Sequence, residues 1–184
     1  MDGQGEARNE TSRAGRSPAS AALCLAAFVA LLTVDAASAA ADRPTPSGLP
    51  VPRYVSLKFG EVNARAGPGD DHRLLWIYHA RGLPVQVVAE TAEWRRVCDP
   101  EGGLAWVHKR TTDGRRMVMR LDPKPLALHR KPKAESETTA YLAGRALASL
   151  VRCNKGWCRV KADGASGWAP AAGLWGADER AQCR

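Results

Sequence analysis

Six tryptophans, a scatter of arginines and five cysteines are the residues of this chain whose types could do chemistry. Trp94 and Trp106 flank a turn, Asp99-Pro100-Glu101-Gly102-Gly103, in which proline presets φ and the glycines supply positive φ. Trp94, Arg96 and Cys98 fall on one side of an extended arm, Arg95 and Val97 on the other. Trp76 and Tyr78 are two apart and share a strand face. With Arg65 and the loop after it, these four rings could line a groove that buries an extended ligand, the arginine pairing with an acidic group. The competing reading is structural. A small barrel has little core, so Trp94 and Trp106 serve as core or rim packing. Arg65 then locks its own loop, through carbonyls or Asp70.

Catalysis finds no support in the residue pattern. His72, His79, His108 and His129 are scattered, with no H-x-x-x-H or H-E-x-x-H spacing. A nucleophile elbow, a P-loop and a G-x-G-x-x-G are all missing from the sequence. A Cys98–His108 thiol dyad is opposed by Asp99, whose charge raises a neighbouring thiol's pKa. Cys153 and Cys158 bracket Asn154-Lys155-Gly156-Trp157, a tight turn that sets them face to face and points to a disulfide. Cys98 and Cys183 remain, either as a second disulfide tying the tail to the first half, or as further zinc ligands in a spacing that matches no zinc ribbon or finger. The expectation is no catalytic residue, no metal and no cofactor.

The chain has 27 Lys+Arg against 19 Asp+Glu in 184 residues, a formal charge of +8. Ala19 to Val34 is apolar and uncharged, follows Arg8, Arg13 and Arg16, and precedes the small-x-small site Ala37-Ser38-Ala39. That is a secretory signal over residues 1–39. The run is shorter than the roughly twenty residues of a membrane span, and an uncleaved inner-membrane anchor is the alternative. Cys24 inside it lacks a lipoprotein context. Residues 1–39 hold three arginines and four acids, so the remainder is +9, with 24 basic and 15 acidic residues. The charge suits an anionic partner. Export to the periplasm or medium argues against nucleic acid and limits membrane contact to the signal peptide.

Pro44, Pro46, Pro50 and Pro52 mark residues 40–52 as an extended linker. Strands are then expected at Arg53–Phe59, Val62–Arg65, Leu74–Tyr78 and Leu83–Ala89, followed by the tryptophan hairpin, with Arg115–Leu121 closing the set. Glycine and proline turns separate them, and no stretch carries a sustained helical period. The class is all-β, a small barrel or sandwich. Asp122-Pro123-Lys124-Pro125 reads as a boundary. Beyond it the order recurs at an offset of 62 to 64 residues: Leu126–His129 answers Val62–Arg65, Gly144 answers Gly82, Trp157 answers Trp94, and Trp168 answers Trp106. A repeat of domain size means two copies of one fold, residues 53–121 and 122–184.

Val62-Asn63-Ala64-Arg65-Ala66-Gly67-Pro68-Gly69, Gly82-Leu83-Pro84-Val85, Trp94-Arg95-Arg96-Val97 and Gly103-x-x-Trp106-Val107 resemble the bacterial SH3-like (SH3b) domain. In the second copy His129-Arg130-Lys131-Pro132 replaces the R-x-G-P opening. The resemblance implies two tandem five-to-six-stranded barrels and a non-catalytic role in binding cell-wall material or protein partners. The expected function is a cell-envelope module contacting peptidoglycan or an envelope protein. The alternative is a scaffold or regulatory subunit that binds a partner envelope enzyme. The first barrel, which keeps R-x-G-P, is expected to carry the contact. Residue patterns leave the oligomeric state open. N-terminal sequencing of protein recovered from the periplasm should begin near Ala40; an intact Met1 on soluble cytosolic protein overturns the export reading.

Overall fold

The computed structural model describes residues 45–178, 180, 182 and 183. The export segment and Cys24 lie outside them. In the first half, β1 (Arg53–Leu57), β2 (Val62–Arg65), β3 (Leu74–Tyr78), β4 (Pro84–Glu90), β5 (Trp94–Cys98), β6 (Leu104–His108) and β7 (Thr112–Asp113) form one sheet in the order β3-β2-β6-β5-β4-β1-β7. In the second, β8 (Met117–Met119), β9 (Leu126–His129), β10 (Thr138–Leu142), β11 (Leu147–Asn154), β12 (Trp157–Ala162) and β13 (Ala165–Pro170) run β10-β9-β13-β12-β11-β8. The two orders are the same with β8 standing for β1, so the chain is one strand plan executed twice. Every strand pairing is antiparallel. No α-helix occurs among the described residues.

Alternation decides what each strand buries. Val55, Leu57, Val62, Ala64, Val85, Val87, Val97, Ala105 and Val107 point inward in the first barrel. Val118, Leu128, Leu142, Ala148, Cys158 and Val160 do so in the second. The turns that return the chain follow the residues available. Lys155 (φ 47°) with Gly156 (φ 79°), and Asp163 (φ 46°) with Gly164 (φ 81°), make two-residue hairpin turns with positive φ at both places.

The segment Arg115–Leu121, expected to close the first barrel, instead opens the second. Its core, β8, pairs with β11, and Val118 is fully buried in the second core. Arg115–Leu121 alternates as a strand should, but alternation does not say which sheet a strand joins. Asp122–Pro125, read as a boundary, is the connection from β8 to β9 inside the second barrel. The linker is also less free than its prolines suggest. Its amide at Ser47 donates to Glu90 Oε1 at 3.1 Å, and the Ser47 hydroxyl donates to the same oxygen.

The barrels form one compact unit, and a strap after β13 accounts for it. Tyr54, Gln86 and Cys98 stand in register across β1, β4 and β5 on the outer face. They are nonetheless 7%, 0% and 0% exposed, because the strap lies over them. Trp175 meets Tyr54 edge-on at 5.7 Å and donates its indole N–H to the Pro84 carbonyl at 3.2 Å. Gln86 donates to the Arg180 carbonyl at 2.7 Å and accepts from the Gln182 amide at 2.8 Å. Cys98 is paired with Cys183, Cα–Cα 5.9 Å, and Cys153 with Cys158, Cα–Cα 4.0 Å.

Two measurements follow. The Cys98–Cys183 link spans 85 residues and Cys153–Cys158 only 5. Loop-closure entropy therefore assigns the first about 4.6 kcal/mol and the second about 2 kcal/mol. Replacing Cys98 and Cys183 by serine should lower the melting temperature more than replacing the other pair; the reverse order refutes the strap's role. Second, burial alone would raise the Glu90 carboxyl, but bonds from Ser47 and Arg53 outweigh it and hold it at about 2 instead of 4.5. A depressed folded-state pKa gives stability that is fully present above about pH 4.5 and lost as pH falls towards 2. Glu90→Gln should flatten the stability–pH curve in that window, as read by urea melts.

Candidate functional site

Trp76 and Tyr78 lie opposite Ala64 and Val62 in the β2–β3 pair, on its inward side. Their rings meet edge to face at 5.9 Å. They open a cleft of about 540 Å³ at one end of the first barrel, closed by Leu83, the Asp99–Gly103 turn and Met119 of β8. The turn is held by Asp99, which is 7% exposed. Its Oδ1 accepts from the amides of Glu101 at 2.9 Å and Gly103 at 2.8 Å, and its Oδ2 from the Tyr78 hydroxyl at 3.0 Å. Burial first, and the Asp99 charge second, push the Tyr78 hydroxyl above its ordinary range, so it stays protonated and keeps donating. Both Asp99 oxygens are thus committed to shaping the wall. What this cleft offers a ligand is apolar and aromatic area, with exposed Glu101 and His79 at the rim.

Arg65 and Trp94 belong to a different recess, of about 240 Å³, with Asn63, Asp70, His108 and Arg110. Arg65 reaches back over its own loop: it donates to the His72 carbonyl at 2.8 Å and lies 3.6 Å from Asp70. Trp94 is 9% exposed and packs against the His108 ring at 5.2 Å. The single groove expected from Trp76, Tyr78 and the loop after Arg65 is therefore not formed. Strand alternation is the reason: Arg65 follows Ala64, the partner of Trp76, and so faces the other way. The aromatics stay on the inner side, and Arg65 pairs with Trp106 on the outer side. Trp106, half-buried, stands there between Arg65 and Arg96.

Cys98 and His108 do not meet as a dyad. Cys98 is opposite Leu104, and His108 is opposite Trp94. Among the described residues no group of three or more His, Cys, Asp or Glu side chains could hold a metal ion. A larger recess of about 930 Å³ opens between the strap, Arg120–Asp122 and the β11–β12 turn. Its arginines are spent internally: Arg120 donates to the carbonyls of Lys124 and Gly173, and Arg180 pairs with Asp178. Nothing in the sequence signals this recess, because its walls come from distant segments.

The second barrel repeats the wall without its rings. At the places of Trp76 and Tyr78 in the strand order stand Ala140 and Leu142 of β10. Its outer face carries a row in register, Arg152, Arg159, Trp168 and His129, across β11, β12, β13 and β9. The matching row of the first barrel is Ala89, Arg96, Trp106 and Arg65. Neither row is evident from strand patterning, since bulges in β4 and β11 shift the parity.

Comparison with known proteins agrees with this plan. No curated protein matches the chain. Among solved structures, NlpC1 and NlpC2 from Trichomonas vaginalis are similar, each at 13% identity and a TM-score of 0.31 over 67% of this chain. The match covers 45% and 47% of those chains, so this protein spans less than half their length. A family model described as the bacterial SH3 domain matches twice, at residues 58–114 and 117–176, which sets the division between copies just before β8. Matched over most of its length by two successive copies, the chain belongs to the bacterial SH3 domain family.

Proposed function

We propose that the protein is a non-catalytic binding module of the cell envelope, acting in the periplasm or outside the cell, and that the Trp76–Tyr78 cleft takes a segment of peptidoglycan. The cleft carries the reading. Its volume, about 540 Å³, falls in the usual range for ligand sites, and its walls are mainly apolar and aromatic. Sugar rings and peptide methylenes bury well against such a surface, and an aromatic pair is a rigid one that loses little entropy on binding. Ala140 and Leu142 deprive the second barrel of an equivalent, which supports the first barrel as the contact. Bacterial SH3 domains are commonly cell-wall modules, and the net positive charge suits the free carboxylates of peptidoglycan stems.

A second reading, a scaffold or regulatory subunit for a partner envelope enzyme, draws on Ile77, which is 40% exposed at the rim of the same cleft. Exposed apolar groups beside an aromatic cleft also suit a protein surface.

Co-sedimentation with purified sacculi tests the first reading. The protein should be retained, and Trp76→Ala should weaken retention about tenfold while leaving the fold intact, the effect expected for truncating one buried aromatic anchor. Retention through buried apolar area should survive raised salt, whereas retention through exposed charge should not. Absence of retention at every salt concentration rules out the wall reading and leaves the partner-enzyme reading.

A further inference from the structure

The six strands of the second barrel contain no aspartate or glutamate; their charged side chains are Arg152, Arg159 and Lys161, with His129 and Tyr141 as further titratable groups. All three cations are exposed. Arg152 and Arg159 stand directly opposite each other on β11 and β12. Like charges in that position repel and destabilise a sheet. Among the described residues no carboxylate lies within ion-pair distance of Arg152, Arg159 or Lys161. The first barrel differs: Ala89 takes the place of Arg152, and its half-buried strand cations Arg53 and Arg95 are answered by Glu90.

The cations are also positioned. The Arg152 guanidinium lies 5.3 Å over the Trp168 ring, a cation–π contact that fixes its plane. Trp157 sits on the same outer face, one row along from Arg159. His129 is within 2.8 Å of the Ser136 carbonyl, which can only accept, so its Nδ1 donates there and its ring is held edge-on to Trp157 at 5.6 Å. Cross-strand neighbours are roughly 5 Å apart, and residues two apart on β12 roughly 7 Å. Arg152, Arg159 and Lys161 are thus rooted at that spacing on one face, beside the indoles of Trp157 and Trp168.

We propose that this outer face of the second barrel is a binding site for an acidic glycan, a chain of sugar rings bearing carboxylates. A guanidinium held like that of Arg152 suits bidentate carboxylate recognition, and Arg159 stands beside it. Trp157, half-buried, offers ring area against which a sugar stacks. A carboxylate bridging Arg152 and Arg159 also removes their repulsion, so the bound state is the relaxed one. The site is separate from the Trp76–Tyr78 cleft and stands or falls independently of it.

The probes are an oligogalacturonate, a neutral chito-oligosaccharide of equal length, single-stranded DNA and anionic lipid vesicles, each titrated against the purified protein by calorimetry at low and physiological salt. The oligogalacturonate should bind more tightly than any other probe, and the neutral sugar should fail. Arg152→Gln with Arg159→Gln should weaken binding about tenfold or more, the loss of two charge-assisted contacts. Arg73→Gln with Arg81→Gln, an equal charge change on the first barrel, should alter it less than about twofold. Arg159→Gln alone should melt at or above the wild-type temperature, since it relieves the repelling pair. No binding at low salt, equal loss in both double variants, tighter binding to DNA or vesicles, or a lowered melting temperature for Arg159→Gln overturns the proposal.

Discussion

A buried carboxamide must find a partner for its N–H and another for its oxygen, because neither can reach water. Gln86, with no exposed surface, is such a group, and both its partners are backbone atoms of the strap beyond the second barrel. Removing the strap would hand both atoms of Gln86 to water and expose the ring of Tyr54 and the thiol of Cys98 beside them. The first barrel is therefore finished only when the last residues of the second have been laid over it. Two SH3 domains joined by a short connection would ordinarily move as separate bodies; here one polar side chain, one indole and one cysteine pair weld them.

The same strand plan has met two fates. Tyr54, Gln86 and Cys98 cover one row of the first barrel's outer wall; the matching row of the second is Met117, Ser149 and Lys161, in register but not roofed by any strap. The inner walls differ as well. The first barrel invests in a tryptophan and a tyrosine that open an apolar cleft, the second in alanine and leucine that close it. Duplication has kept the backbone pairing and divided the surfaces, one barrel presenting aromatic area and the other cations.

Much of the fold was legible because strand periodicity and turn chemistry act locally. Val62–Arg65, Leu74–Tyr78 and Leu126–His129 are strands with the bounds their patterns suggest, and both cysteine pairs lie at disulfide distance. Legibility ended where the answer depended on a partner far away. Nothing within Met117–Met119 says that it pairs with β11 in preference to closing the first barrel. Thr138–Leu142 begins with two threonines and reads as a strand only once Leu126–His129 is beside it. Arg65 was readable as a lock on its loop, but its place on the face opposite Trp76 depends on which residue of β2 pairs with Trp76, a cross-strand fact. The row Arg152–Arg159–Trp168–His129 is assembled from four strands across a bulge, and no window of sequence displays it.

The pairing of Cys98 with Cys183 also makes this a mechanical object. Tension applied at Cys183 enters the protein at β5, through a covalent bond, without passing along the 84 residues in between. Tension from the N-terminal side arrives at β1, next to the Ser47–Glu90–Arg53 knot. The load path therefore runs from β1 through β4 to β5 between adjacent rows of one sheet, so it pulls across the strands, along their hydrogen bonds, rather than shearing them. The covalent path bypasses the second barrel, which stays joined to the first through Trp175.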